Sequence, residues 1–356
     1  MKIKMVDIAR HLGISKATVS LAMNNKPGVN EDTKKKVLEC YERLSRGLDP
    51  DTPDESVQPG SSEGKFSAGS SGQQPPEAAG HIKLLNLNYD KNFLQNPEME
   101  LHTGVFQTLD SECRKRGLTY SISYLEENSP HLEEIVQECN MAYVKGIIVF
   151  GVTMREKDLD ILRSIDKPIV INDFQPKDGR YSSAVIDNRR AVEMAMAWLK
   201  KRGSKKIYLV SSDFEIYNFA ARREAFLNVV ATDPWFSPDS RIISLSGNAS
   251  ASRVSMLEWL ENEELPEAFL FENYVVAIGA VFALREKGII STHDLELIGL
   301  DEVPEYLLPG NKMAYVKMPH SSRMSMCFGI LDEMGKYPGM RVSTLMLPEL
   351  IDSGQG

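Results

Sequence analysis

The chain has 356 residues, 42% of them hydrophobic, and a formal net charge of −9. That length allows two or three domains with sizeable cores, the lack of any run of 18 apolar residues argues against a membrane span, and the acidity excludes a protein that coats nucleic acid over its whole surface. The charge is uneven: residues 1–48 hold ten Lys or Arg and five Asp or Glu, a balance of +5, so the remainder carries −14.

The opening, MKIKMVDIARHLG, meets Asp7 and Arg10 before the apolar core of a signal peptide can form, which predicts a cytoplasmic protein. Ile8 and Leu12 sit at i, i+4 spacing in a first helix that stops at Gly13. Ser15 is a good N-cap for a second helix over about 16–24. Asn30 caps a third, with Glu31 and Asp32 in its first turn, running to about Ser45 and burying Val37, Cys40, Tyr41 and Leu44. Ala9 is small, Gly13 makes a turn, and Ile14, Val19 and Ala22 point inward, the pattern of a helix-turn-helix. The second helix then shows Lys16, Ala17, Thr18, Ser20 and Leu21 outward on a basic surface. Such a helix fits the DNA major groove, where Thr18, Ser20 and Lys16 can bond phosphates or base edges. A generic three-helix bundle explains the amphipathicity but not this register.

Residues 49–80 change character. Half of these 32 residues are Pro, Gly or Ser, six are acidic, and Val57 and Phe66 are the only large apolar side chains. Such a stretch cannot bury enough surface to offset its chain entropy, which predicts a disordered linker spanning roughly 30 Å.

From His81 onward, apolar strands alternate with helical patterns over 81–356. IKLLNLN, LTYSISYL, GIIVFG, KPIVIN and SSAVID come first. After Asn188 the rhythm restarts with KKIYLVSS, RIISLS, EAFLFE and LELIGLD, separated by helices. This alternation predicts parallel sheets flanked by helices, in two subdomains. Ligands of such sheets bind outside the carboxyl ends of the strands, so the cleft between the subdomains is the expected pocket. Cys40, Cys113, Cys139 and Cys327 are widely spaced without C-x-x-C, which predicts buried free thiols rather than a zinc site or disulfides.

VDIARHLGISKATVSLAMNN and VNEDTKKKVLE resemble the headpiece of the lac-repressor-like (LacI/GalR) family, whose wording is D-V-A-x-x-A-G-V-S-x-x-T-V-S-x-x-L-N and V-S-x-x-T-x-x-x-V. In the body, VIDNRRAVEMAMAWLKKRGSKKIYLV resembles its D-N-x-x-G-A segment, and RREAF its R-x-x-G-F with Ala225 for Gly. ENYVVAIGAVFALREKGI resembles N-D-x-x-A-x-G-A with Tyr274 for Asp, LIGLDE resembles V-G-F-D-D, and LMLPELIDSG the closing P-P-E-L strand.

The resemblance implies a small all-α helix-turn-helix headpiece joined to an α/β periplasmic-binding-protein-like body of two parallel-sheet subdomains. It implies a homodimer on a near-palindromic operator in double-stranded DNA and a small-molecule effector, commonly a carbohydrate or a nucleobase-type metabolite, with no cofactor or metal. The implied DNA-binding set is Lys16, Ala17, Thr18, Ser20, Leu21 and Asn24. Leu21 stands where Arg or His is usual and can offer only an apolar contact, such as with a thymine methyl. Nothing in 49–80 resembles the family's hinge helix. The implied effector set is Tyr89, Asp90 and Phe93 after the first strand, Asp173 after PIVIN, and Arg222, Asn273, Tyr274 and Asp301 from the second subdomain. Each also has an ordinary reading: Asp301 as a helix cap, Arg222 in a surface ion pair, Tyr89 and Phe93 as core aromatics. Phe214, Tyr217 and Phe219 line the cleft or pack it shut.

The sequence lacks H-E-x-x-H, G-x-x-x-x-G-K-S/T and G-x-S-x-G, so an enzyme has no support and no catalytic residue is assigned. Two rivals remain: a solute-binding protein, and a DNA-binding protein that ignores small molecules.

Overall fold

Near-continuous apolar runs such as Val144–Phe150, buried at all but one position, are what a strand covered on both faces requires. The computed structural model describes residues 80–87, 103–125, 129–292, 294–303 and 313–352, with Leu12, Ser15, Thr18, Val19, Thr33, Lys36 and Val37 of the head. Residues 49–79 of the expected linker and the candidates Lys16, Ala17, Ser20, Leu21, Asn24, Tyr89, Asp90 and Phe93 lie outside the described residues. The chain divides into two compact units, Met1–Gln73 and Gln74–Gly356.

In the first unit, the Ser15 hydroxyl oxygen accepts from the Thr18 backbone N–H at 3.0 Å, and the Val19 N–H donates to the Ser15 carbonyl at 3.1 Å. Ser15 therefore caps the second helix. Val19 and Val37, both expected to point inward, are fully buried.

Among its described residues the second unit holds two six-stranded sheets of the same design. The elements of the first half are β1 (Gly80–Leu87), α1 (Thr103–Lys115), β2 (Leu118–Leu125), α2 (Leu132–Cys139), β3 (Val144–Phe150), a 3-10 helix (Glu156–Ser164), β4 (Ile169–Asn172) and β5 (Ser182–Ile186). The second half continues with α3 (Asn188–Lys201), β6 (Ile207–Ser212), α4 (Tyr217–Thr232), β7 (Arg241–Leu245), α5 (Ala249–Asn262), β8 (Ala268–Phe271), α6 (Tyr274–Glu286), α7 (Ile289–Thr292) and β9 (Glu296–Leu300). The chain then forms β10 (Ala314–Lys317), α8 (His320–Lys336), β11 (Ser343–Met346) and β12 (Glu349–Ile351). Strand order is β11-β5-β4-β3-β1-β2 in one sheet and β12-β10-β9-β8-β6-β7 in the other. Reading the two orders together, β4 matches β9 and β5 matches β10. All pairings are parallel except β10 with β12 at an edge.

The last third of the chain crosses between the sheets. After β10 of the second sheet, α8 packs against α1, β4 and β5 of the first, and β11 extends the first sheet beside β5. The helix at His320–Lys336 is not among those that the sequence pattern predicts. Three helices, α3, α5 and α6, start on side-chain caps. Asp187 accepts from Arg190 N–H at 2.9 Å, Asn248 from Ala251 N–H at 2.8 Å, and Asn273 from Val275 and Val276 N–H at 3.0 and 3.1 Å. Cys113, Cys139 and Cys327 are buried free thiols, and burial pushes their pKa values up to about 11, 11 and 12. Among the described residues no helix is long and apolar enough to cross a membrane.

Candidate functional site between the two sheets

Five sequence candidates, Asp173, Arg222, Asn273, Tyr274 and Asp301, converge on one cavity at the carboxyl ends of β4, β8 and β9. They come from both sheets, as expected for a cleft between two such layers. Its volume is about 70 Å³. The wall also includes Asn218, Phe219, His320 and Arg323, which the sequence reading did not place in the effector set.

Two aspartates frame it. Asp173 follows β4 and Asp301 follows β9, with φ angles of 78° and 101° in the left-handed region. A non-glycine residue there costs conformational energy unless its surroundings hold it, and Asp tolerates it better than most. Each is held alike: its backbone N–H donates at 3.0 Å to the next strand, Asp173 to Ala184 and Asp301 to Val316. Each carboxylate then meets the first turn of α8. Asp173 takes the Arg323 guanidinium, and Asp301 takes His320 Nε2 at 2.9 Å. Asp301 thus holds a histidine.

A chain of amides continues from Asp173. Asn218 Nδ2 donates to the Asp173 carboxylate at 2.9 Å, and Asn188 Nδ2 donates to Asn218 Oδ1 at 2.7 Å. Arg222 Nε donates to Asn188 Oδ1 at 2.8 Å, and its Nη1 to the Glu272 carbonyl at 2.6 Å. Arg222 is buried, not in the surface ion pair the sequence left open. Burial lowers its pKa, while Asp301, Glu272 and Asp173 oppose that shift. Burial alone would raise the Asp301 carboxyl, but the charge and hydrogen bond of His320, with Arg222 and Arg323, outweigh it and hold it below the usual range. The neighbouring Glu272 is wholly buried, and its pKa is raised by burial despite bonds from Arg223 and Ser212.

The start of α4 closes one side. Ile216 and Phe219 join the apolar cluster of the first sheet, with Val152, Phe150 and Met324. Tyr217 packs edge-on to Phe174 at 5.4 Å and its hydroxyl reaches Gln175 at 3.5 Å. Phe219 therefore lines the cavity and also narrows it. Asn273 commits its amide oxygen to capping α6. A larger groove of about 480 Å³ lies beside Lys167, Tyr181, Pro338 and Arg341. It sits at the amino ends of β4 and β5, the wrong end for a ligand of this fold.

Residues 4–45 match the family described as bacterial regulatory proteins, lacI family. The chain is also similar to catabolite control protein A of Staphylococcus epidermidis, 24% identical over 303 residues, 85% of this chain and 83% of that protein. The head thus carries the lacI-family match, and over most of its length the chain is similar to bacterial regulatory proteins of that kind. Two solved structures share the fold across 99% of this chain. One is a complex of the transcriptional regulator CelR with cellobiose (TM-score 0.63, 14% identity, 99% of that chain). The other is the lac repressor dimer bound to operator and the anti-inducer ONPF (TM-score 0.63, 15% identity, 98% of that chain). The architecture is thus a helix-turn-helix head on an α/β body of two mostly parallel sheets.

Proposed function

We propose that the chain is a repressor-type transcriptional regulator, working in the cytoplasm, whose basic head reads a near-palindromic operator as a homodimer and whose body binds a small metabolite, sugar-like in its polar groups, between the two sheets. The observation that carries the effector half is the meeting of Asp173, Arg222, Asn273, Tyr274 and Asp301 at one cavity from distant parts of the chain. Carboxylate, amide and guanidinium groups beside an aromatic face suit a polyhydroxylated guest. The cellobiose complex of a protein with this fold supports the same choice.

The DNA half rests on the family match at 4–45, on the +5 charge of residues 1–48, and on the Ser15 cap that starts the second helix. Lys16, Ala17, Thr18, Ser20, Leu21 and Asn24 form the proposed contact set. Thr18 spends part of its bonding capacity on Ser15, whose hydroxyl lies 2.9 Å from its own. A head at 1–48, a tether at 49–80 and a body from 81 complete the proposed organisation. A tether of that kind still gives two heads a high effective concentration on one operator.

A second reading is favoured by one observation. Asn218, Ile216 and Phe219 already bridge the sheets, as an effector would. A regulator closed by its own residues would ignore metabolites. Melting temperature measured over a panel of sugars and sugar derivatives separates the two. A rise with one compound, abolished by Asp301→Asn, supports the effector-responsive regulator. No rise with any compound supports the closed one.

A further inference from the structure

Among the described residues each acid of the cleft has a bonded basic side chain, whereas Arg222 has no bonded anion. Asp173 binds Arg323, Asp301 binds His320 at 2.9 Å, and Glu272 binds Arg223 at 2.7 Å. Arg222 hydrogen-bonds only neutral groups among the described residues, the Asn188 amide oxygen and the Glu272 carbonyl. The carboxylates of Asp301, Glu272 and Asp173 act on it from beyond hydrogen-bond reach. A buried guanidinium without a bonded anion is an expensive arrangement unless something else supplies the charge.

Arg323 adds a second, independent sign. Only 1% of it is exposed, and one nitrogen is engaged by Asp173, yet Nε and Nη2 have no acceptor among the described residues. His320 Nδ1 is buried and unpartnered in the same sense. All three residues line the same cavity. Buried N–H donors are nearly always satisfied in native proteins, so a cluster of orphans beside a cavity marks where acceptors belong. The planar fork of arginine matches the two oxygens of an oxyanion.

We propose that the guest of this cleft carries an oxyanion group, a carboxylate or a phosphate, which seats between Arg222 and Arg323 and accepts from His320. This rests on the reading of the cleft as a metabolite site and narrows its class: an acidic or phosphorylated sugar rather than a neutral one. The cavity, about 70 Å³, equals roughly two waters at about 30 Å³ each. That is room for an anionic head group, with the rest of the molecule entering as the α4 start moves aside. A neutral hydroxyl could accept from Arg323 but would bring no charge to Arg222.

The test uses the full chain and four probes at matched ionic strength: inorganic phosphate, gluconate, glucose 6-phosphate and glucose, by calorimetric titration and melting temperature. At least one anionic probe is expected to bind about 10- to 100-fold more tightly than glucose, the range for losing a charged hydrogen bond. Gluconate against glucose 6-phosphate tells carboxylate from phosphate. The double variant Asp173→Asn/Arg323→Met removes both charges of one ion pair together and so leaves the net charge of the site unchanged. It should lose that preference, whereas Arg323→Lys should keep part of it. Anionic probes binding no better than glucose, or equally well in the double variant, would overturn the proposal. Glucose binding alone, weakened by Asp301→Asn, would overturn it while leaving the cleft reading intact. No binding by any probe would overturn it as well, and a panel of other neutral compounds then decides the cleft reading separately.

Discussion

Asp173 and Asp301 are counterparts in the two sheets: each follows the matching strand, adopts a left-handed backbone, donates its N–H to the adjacent strand at 3.0 Å, and binds a basic side chain from one turn of α8. A helix of the first sheet's layer thus fastens to both halves of the cleft. Asp173→Asn isolates the charge, because Asn also tolerates positive φ. It should destabilise the body by about 3–5 kcal/mol, since Arg323 would be left buried without its counter-ion. Urea denaturation reads this directly, and a loss below about 1 kcal/mol would mean Arg323 finds another partner.

The depressed Asp301 carboxyl sets a pH dependence of definite sign. A carboxyl held below its unfolded value of about 3.9 adds stability that is present above that value and lost as pH falls through the folded one. Glu272, with its raised pKa, has the opposite sign: its contribution is full below about 4.3 and is lost as pH rises through the folded value. The difference in stability between wild type and Asp301→Asn isolates the first. It should shrink as pH falls below about 5. A difference that grew as pH fell below about 5 would reverse the assignment.

The bridge at the start of α4 should control the width of the cleft. Asn218→Ala removes the amide that donates to both the carboxylate and the carbonyl of Asp173 and should cost about 1–3 kcal/mol. Phe219→Ala removes a buried ring from the first sheet's cluster and should cost about 3–5 kcal/mol. Spin labels on α1 and α5 should report longer and broader distances in both variants than in wild type. Unchanged distances would show that the contacts follow closure rather than hold it.

Gly279 makes the close approach of α6 to α5 possible. A Cβ there would lie 2.4 Å from the Ala249 carbonyl oxygen and 2.6 Å from Ser252 Cβ. Both are packed groups with nowhere to go, so Gly279→Ala should destabilise by about 1–3 kcal/mol through overpacking, despite the better helix propensity of alanine. A stabilised variant would contradict this packing.

In the head, Ser15→Ala removes the acceptor for the Thr18 N–H and should cost about 1 kcal/mol. Hydrogen exchange of the Thr18 amide is the direct readout, with faster exchange expected.

Strands were legible because parallel strands are buried on both faces and so read as unbroken apolar runs: GIIVFG, KPIVIN, LELIGLD. Asp173 and Asp301 were legible through the family resemblance, as acids placed just past the ends of such strands. Residues 320–336 were not read as a helix. Their core face is built from Met324, Cys327, Phe328, Leu331 and Met334, its stripe is broken by the buried Arg323, and Gly329 and Gly335 interrupt it. His320 and Arg323 went unseen with it. Asn188 and Asn218 meet across 30 residues, and neither shows a local pattern that foretells an amide bridge. The Ser15 cap and the inward Val19 were readable because both depend on neighbours within one turn.

The central claim is that a small cationic head grips duplex DNA while the acidic body carries the cleft. Its most direct test is the affinity of the full chain for operator DNA selected in vitro, measured from 50 to 200 mM salt, beside a chain lacking residues 1–48. A steep decline of affinity with salt, together with loss of sequence-selective binding in the shortened chain, is the predicted result. A flat salt response, or selective binding that survives the deletion, would contradict it.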